Sequence, residues 1–124
     1  MTYDSEGTVA FTMTAGDTKN IFATITDKFG TPIDLSSATS IRWWASRGNT
    51  ETFSRTPVLM KSMENAAGID EVSLLDGQFV VRIKTADTAG LNGSYYYEIE
   101  VRDAAGNVST PIVDSFTVKK DLIR

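Results

Sequence analysis

Residues 94–103 have the sequence SYYYEIEVRD, and they decide the class of fold. Apolar and aromatic residues stand at every second position, which is the period of a β-strand with one face on a core and the other toward water. This pattern predicts a strand whose core face carries Tyr95, Tyr97, Ile99 and Val101. It places Tyr96, Glu98 and Glu100 on the outer face.

The same period of two continues in both directions from this strand. Asp103–Asn107 contains Gly106 and predicts a hairpin loop, after which Val108–Val118 returns with Phe116 and Val118 toward the core. Upstream, the pattern predicts strands over four further ranges, which are Thr8–Thr14, Lys19–Thr26, Ser40–Ser46 and Gln78–Thr85. Val9, Phe11 and Met13 share one face of the first range, and Ile21, Ala23 and Ile25 share one face of the second. In the last range Phe79, Val81 and Ile83 alternate with Gln78, Val80, Arg82 and Lys84.

The connections are less regular than the strands. Arg47–Thr56 is polar and precedes Pro57, so it predicts a loop before the short apolar run Val58–Met60. Ser62–Ala67 predicts a loop or a single helical turn, and Thr85–Gly93 a connection with one short turn. About seven to nine short strands without a long helix predict an all-β, immunoglobulin-like antiparallel β-sandwich.

Length and composition agree with one folded unit. A chain of 124 residues, 41% of them hydrophobic and 23% charged, predicts a single domain over 1–124 with a core over about 8–118 and short terminal tails. The chain contains no cysteine and no histidine, which removes disulfides, thiolate nucleophiles and the commonest general base and metal ligand. The net charge of −4 disfavours nucleic acid as a partner.

The N-terminal segment and the length of the apolar segments bear on the cellular location of the protein. The first residues are polar and acidic and do not resemble a secretory signal, and no window approaches the ~20 apolar residues of a spanning helix. We therefore expect synthesis in a cytoplasm without membrane insertion.

The remaining candidates for catalysis are carboxylates, and their positions favour turns. Nearly all of them fall in predicted turns, where an aspartate is favoured because its side chain hydrogen-bonds to nearby backbone groups. The carboxylates considered are Asp27, Asp34, Asp70, Glu71, Asp76, Asp87 and Asp103. We therefore predict no enzymatic activity, no catalytic residue and no cofactor. Asp27, Asp103 and Asn107 are weak candidates for calcium ligands because they offer hard oxygen atoms, although no EF-hand motif is present.

Consecutive aromatic residues on a strand must point to opposite faces of the sheet. Trp43 belongs with Ile41 and Ala45 on the core side, so Trp44 is predicted to point outward, as is Tyr96. Exposed aromatic residues form interface hot spots, stack on sugars or pair across strands. We take Trp44, Tyr96, Val58 and Met60 as interface candidates, with partner strands expected to add at the edge near Val58–Met60 and along the last strand.

Three segments carry a resemblance to a known family. Asp27–Ala38 fits D-x-x-G-x-P-x-D-L-x-x-A, Thr85–Glu98 has the sequence TADTAGLNGSYYYE, and Asp103–Asn107 is DAAGN. Their order and spacing from about Gly16 to Val118 resemble phage structural modules of the baseplate-upper-protein N-terminal type. The resemblance implies a virion structural protein of a tailed bacteriophage, in the tail, baseplate, neck or capsid surface, that binds other virion proteins and itself.

The hairpin DAAGNVS is also similar to that of bacterial immunoglobulin-like adhesin repeats. That similarity implies the alternative function, a binding module for host-surface carbohydrate or protein. The chain departs from true immunoglobulin domains in lacking the cysteine pair, so only the sandwich architecture carries over from them.

Overall fold

The computed structural model describes the backbone of residues 3–6 and the whole of residues 10–64 and 67–122. The strands are β1 Tyr3–Glu6, β2 Phe11–Thr14, β3 Lys19–Asp27, β4 Ala38–Gly48, β5 Phe53–Ser62, β6 Ile69–Ser73, β7 Gln78–Ile83, β8 Gly93–Asp103 and β9 Val108–Lys119. A 3-10 turn spans Leu74–Asp76, and the short helix α1 spans Thr85–Thr88.

The strands form two sheets. One has the order β1-β3-β7-β6 and the other β2-β9-β8-β4-β5. The protein is therefore an all-β, immunoglobulin-like sandwich, as the sequence pattern predicts. One pairing departs from the antiparallel expectation, because β2 lies parallel to β9. The strands β1 and β2 follow each other in the chain but belong to different sheets, and β2 occupies the side of β9 that β8 leaves free.

The core lies between the inner faces of the two sheets, and the alternation predicted from the sequence is confirmed there. Trp43 is fully buried, and its ring stacks on Tyr97 at 5.4 Å and lies 5.8 Å from Phe116. Nearly all the other predicted core residues are buried as well: Met13, Ile21, Ala23, Ile25, Ile41, Ala45, Phe79, Val81, Ile83, Tyr95, Ile99, Val101 and Val118. Phe11, predicted on the same face as Met13, is only partly buried. The predicted core position Val9 lies outside the described residues.

Tyr95 anchors the beginning of β8. Its hydroxyl donates to the carbonyl oxygen of Asn92 at 3.0 Å and accepts from the Asn92 amide at the same distance. A buried tyrosine at this point that bonds to backbone a few residues upstream is the tyrosine corner of immunoglobulin-like sandwiches. The local hydrogen bonds thus support the same fold as the strand order.

Helix α1 ties the connection between β7 and β8 to two other parts of the sandwich. Thr88 is buried, and its Oγ1 accepts a hydrogen bond from the amide of Gly16 at 3.0 Å. Asp87 Oδ2 lies 2.6 Å from Lys61 Nζ on β5 and also accepts from the Lys84 amide at 2.7 Å. The predicted short turn is confirmed, and it links β5 to the turn between β2 and β3.

Several sequence predictions need correction. The predicted loop 47–56 is mostly strand, because Asn49 Oδ1 caps the amides of Glu51 and Thr52 and closes a tight hairpin. The strand β6 was not predicted, since its exposed side chains break the alternation. Val80, placed on the polar face, is buried beside its cross-strand partner Phe22.

The sheet edges also differ in part from the expectation. β5 is the last strand of its sheet, which confirms the edge predicted near Val58–Met60. The last strand β9 is not a fully open edge, since β2 pairs with Phe116–Lys119. Only its first part, residues 108–115, lies beyond that pairing among the described residues.

Candidate functional site

Three of the four predicted interface residues are exposed on β4 and β5. Trp44 is directly opposite Met60 in the antiparallel pair, and Val58 lies two residues before Met60 on β5, at the register shift where the pairing passes from Leu59 to Pro57. Trp44 and Met60 are 39% and 57% exposed, and Val58 is exposed to a similar degree. The outward direction predicted for Trp44 is confirmed, and the sheet leaves an apolar surface next to its open edge.

The prediction of an exposed Tyr96 is wrong. Tyr96 does point away from the core, but only 7% of it is exposed because Phe53 stacks on its ring, with centroids 3.9 Å apart and planes at 10°. The tight hairpin between β4 and β5 brings Phe53 opposite Gly48 and therefore over the sheet. A side chain on Gly48, whose φ is 126°, would collide with the backbone of Phe53.

Phe53 is thus a surface residue that the sequence pattern does not identify, because residues 47–56 are predicted to form a loop. The signal that could have identified it is the dipeptide Gly48-Asn49, a hairpin-turn pair that ends four residues before Phe53. We call Trp44, Phe53, Val58, Met60 and Tyr96 the aromatic face.

Charged groups frame the aromatic face. The guanidinium of Arg42 lies 6.0 Å from the centre of the Trp44 ring and 3.4 Å from Glu64. Tyr96 donates its hydroxyl hydrogen to Glu98 Oε2 at 2.7 Å. Apolar rings with charged groups at their border are typical of surfaces that bind proteins.

Two clefts lie on either side of Trp44. One, of about 220 Å³, is lined by Phe53, Arg55, Pro57, Tyr96 and Glu98 besides Trp44. The other, of about 290 Å³, is bordered by Arg42, Met60 and Glu64. Trp44 therefore forms a ridge with a recess on each flank, a shape that a partner's side chains can fill.

Burial shifts the ionisation of two neighbouring tyrosines. The pKa of Tyr96 lies well above its usual value of 10.0 because of burial, the hydrogen bond to Glu98 and the charge of Glu98. The pKa of Tyr97 is raised by burial and by the charge of Asp114. Both phenols are therefore neutral in the folded protein over the ordinary pH range.

This arrangement predicts alkaline unfolding. Since the folded state holds the protons of Tyr96 and Tyr97 more tightly than the unfolded chain does, the free energy of unfolding is undiminished below pH 10 and falls as the pH rises above it. A titration followed by tyrosinate absorbance and circular dichroism should show these two tyrosines ionising together with the loss of structure. Reversible ionisation of Tyr96 and Tyr97 near pH 10 in a protein that stays folded would contradict this.

The calcium candidates act as turn residues in the structure. Asp27 Oδ1 accepts from the amides of Phe29 and Thr31, at 2.8 and 3.1 Å. Asp103 Oδ1 accepts from the amides of Ala105 and Asn107, and its pKa is lowered first by the backbone hydrogen bond from Asn107. Over the ranges that the structure describes, no three acidic residues come close enough together to hold a metal ion. Asp27 and Asp103 therefore cap their own turns.

Most of the other carboxylates also have structural partners. Asp34 accepts from the hydroxyl and amide of Ser36, which lowers its pKa. Asp70 pairs with Arg82, and Asp76 accepts from the hydroxyl of Ser73.

The helical segments among the described residues are too short to cross a membrane.

No protein-family model matches this chain, and no curated protein matches it. Solved structures do resemble it. CopC from Methylosinus trichosporium OB3b is 15% identical, with a TM-score of 0.49 over 94% of this chain and 90% of that one. The SrpA adhesin of Streptococcus sanguinis, in its R347E mutant, is 18% identical with a TM-score of 0.46, over 98% of this chain and 60% of that one.

AggA, the major subunit of aggregative adherence fimbriae type I from Escherichia coli, is 8% identical, with a TM-score of 0.32 over 97% of this chain and 93% of that one. The structural neighbours thus include adhesin and fimbrial subunits. At these identities the likeness is one of β-sandwich architecture, and the function has to be argued from the surface of this chain.

Proposed function

We propose that this protein is a non-enzymatic structural component of a tailed bacteriophage virion that acts through protein–protein assembly. The proposal places it in the tail, baseplate, neck or capsid surface, after synthesis in the host cytoplasm, with other virion proteins and itself as partners. The observation that carries the assembly role is the aromatic face beside the open edge strand β5. The phage assignment rests on the sequence resemblance of Asp27–Ala38, Thr85–Glu98 and Asp103–Asn107.

The composition of this surface supports protein contacts. Interface cores are enriched in Trp, Tyr, Phe, Met and Arg, and the aromatic face with Arg42 and Arg55 contains all five types. Phe53 and Tyr96 are already stacked, so little side-chain freedom is lost when a partner covers them. An open strand edge beside such a surface adds unpaired backbone groups that a partner can bond.

Trp44→Ala tests the role of the face. We expect it to weaken self-association, or binding to particles that lack the protein, by about tenfold or more, as removal of a hot-spot residue does. We expect the free energy of unfolding to fall by no more than about 1 kcal/mol, since the Trp44 side chain contacts only the outer surface of the sheet. Light scattering across a concentration series measures the first effect and urea unfolding the second.

Phe29→Ala is the matched control. Phe29 is also an exposed aromatic residue, but it lies in the loop between β3 and β4, away from the aromatic face. The substitution Phe29→Ala should leave self-association unchanged. If Trp44→Ala lowers the stability strongly and leaves association intact, the aromatic face is not the assembly surface.

A second function is favoured by the cleft beside Trp44. Trp44 and Phe53 offer ring faces there, and Arg55 and Glu98 offer hydrogen-bonding groups, a combination that suits a sugar ring of a host-surface glycan. A strict monomer that is retained by purified host envelope or by immobilised glycan would favour this binding role over virion assembly.

A further inference from the structure

Charge is distributed unevenly along this chain. Residues 38–62, which form the hairpin of β4 and β5, contain four basic residues and the single acid Glu51, a net charge of +3. The whole chain has a net charge of −4, so all other residues together carry −7. We call the hairpin 38–62 the basic ribbon.

Three arginines present the positive charge of the ribbon at the surface. Lys61 is turned inward to Asp87, whereas Arg42, Arg47 and Arg55 reach solvent. Arg42 shares its charge with Glu64, and Arg55 has no ion pair among the described residues. Arg55 and Arg42 border the two clefts that flank Trp44. The ribbon therefore combines apolar surface with positive charge.

The open edge of the other sheet has the opposite character. Residues 69–76, comprising β6 and the 3-10 turn after it, contain Asp70, Glu71 and Asp76 and no basic residue. Two apolar side chains stand out among them, Val72 at 52% and Leu75 at 66% exposure. We call residues 69–76 the acidic edge.

The ribbon and the acidic edge lie on the same side of the sandwich. β5 is the last strand of one sheet and β6 the last strand of the other. A bridge between Ser62 and Gly68 connects the end of β5 to the start of β6. A twofold axis on this side would set the ribbon of each copy against the acidic edge of the other, which closes the assembly at two subunits.

We propose that the basic ribbon docks against the acidic edge of a second copy of this chain, forming a closed dimer with two identical contacts. The inference rests on the assembly role proposed above and names its first partner. Opposite charges guide the approach of the two copies, and Trp44, Met60, Val72 and Leu75 supply the apolar area that is covered.

Charge reversal in both halves provides the test. Arg42→Glu/Arg55→Glu reverses the ribbon, and Glu71→Lys/Asp76→Lys reverses the acidic edge. In light scattering at low salt, the wild-type mass should rise from 13.5 kDa toward twice that value. Each reversed variant alone should dimerise about tenfold more weakly or worse, because like charges then face each other. An equimolar mixture of the two variants should recover dimers.

Lys28→Glu/Lys120→Glu is the control. It changes the net charge by the same amount as the ribbon variant but alters the β3–β4 loop and the residue after β9. It should leave dimerisation close to wild type, and circular dichroism of every variant checks that it is folded. Salt at about 0.5 M should weaken the wild-type dimer by screening its charges.

The experiments distinguish a failure of the proposed dimer from a failure of the proposed assembly role. Two outcomes overturn the ribbon-to-edge arrangement but remain compatible with the assembly role. In the first, self-association requires Trp44 but is unaffected by either charge reversal. In the second, the mixture of the two reversed variants does not recover dimers. A strict monomer at every concentration also overturns this dimer, while binding to particles that lack the protein would still support the assembly role. Retention on glycan without any protein contact would count against the assembly role itself.

Discussion

Trp43→Ala is expected to destabilise the fold by about 3–5 kcal/mol, the cost of truncating a large buried aromatic residue. Trp43 is fully buried between the sheets, where its ring lies against those of Tyr97 and Phe116. The two sheets cannot close over the lost volume without breaking contacts elsewhere in the core. Urea unfolding should show a much lower midpoint with a similar dependence on denaturant.

Two variants serve as controls for this result. Trp43→Phe should cost clearly less, because Trp43 Nε1 has no hydrogen-bond partner among the described residues and only packing is lost. Trp44→Ala, one residue further along, should cost no more than about 1 kcal/mol. Similar losses at positions 43 and 44 would mean that the two tryptophans do not face opposite sides of the sheet.

Asp87→Ala should lower the free energy of unfolding by about 3 kcal/mol, since it leaves the ammonium group of Lys61 buried without its partner. Only 9% of the Lys61 side chain is exposed, and Asp87 also caps the start of α1 through the Lys84 amide. Heat and urea unfolding at neutral pH both measure the loss. Asp70→Ala breaks an exposed pair with Arg82 and should change the stability by no more than about 1 kcal/mol.

The double variant Lys61→Met/Asp87→Ala tests the reason for this loss. A methionine fills much of the space of the lysine stem and needs no partner, so we expect much of the stability to return. A double variant as unstable as Asp87→Ala alone would show that the α1 cap, rather than the buried charge, causes the loss.

The sequence predicted the strands of the core well because burial on one face imposes a strict period of two. In β8 and in residues 40–46, every inward position named from the pattern is buried. The prediction failed where exposure removes that constraint. In β6, residues 70–72 are exposed whether they are charged or apolar, so the sequence shows no alternation of apolar and polar residues although this strand pairs with β7.

The candidate site shows the same division. The sequence predicts that Trp44 faces outward and that Val58 and Met60 lie at an interface edge. The pairing of β4 with β5 sets Met60 opposite Trp44, and all three side chains are exposed. The sequence predicts that Tyr96 is exposed because the alternation along residues 94–103 directs its side chain away from the core. Its burial depends on Phe53, a residue from another strand that only the hairpin between β4 and β5 brings over it.

By itself, the sequence determined the all-β class, the inward and outward faces of the main strands and the turn role of most aspartates, since each follows from local backbone geometry and the burial of alternate residues. The tertiary structure decided which strands became edges, which aromatic side chains stayed exposed and where opposite charges gathered. Those features depend on contacts between distant segments, such as Phe53 with Tyr96, Lys61 with Asp87 and β2 with β9. No local pattern encodes these contacts, because they form only when the two sheets pack.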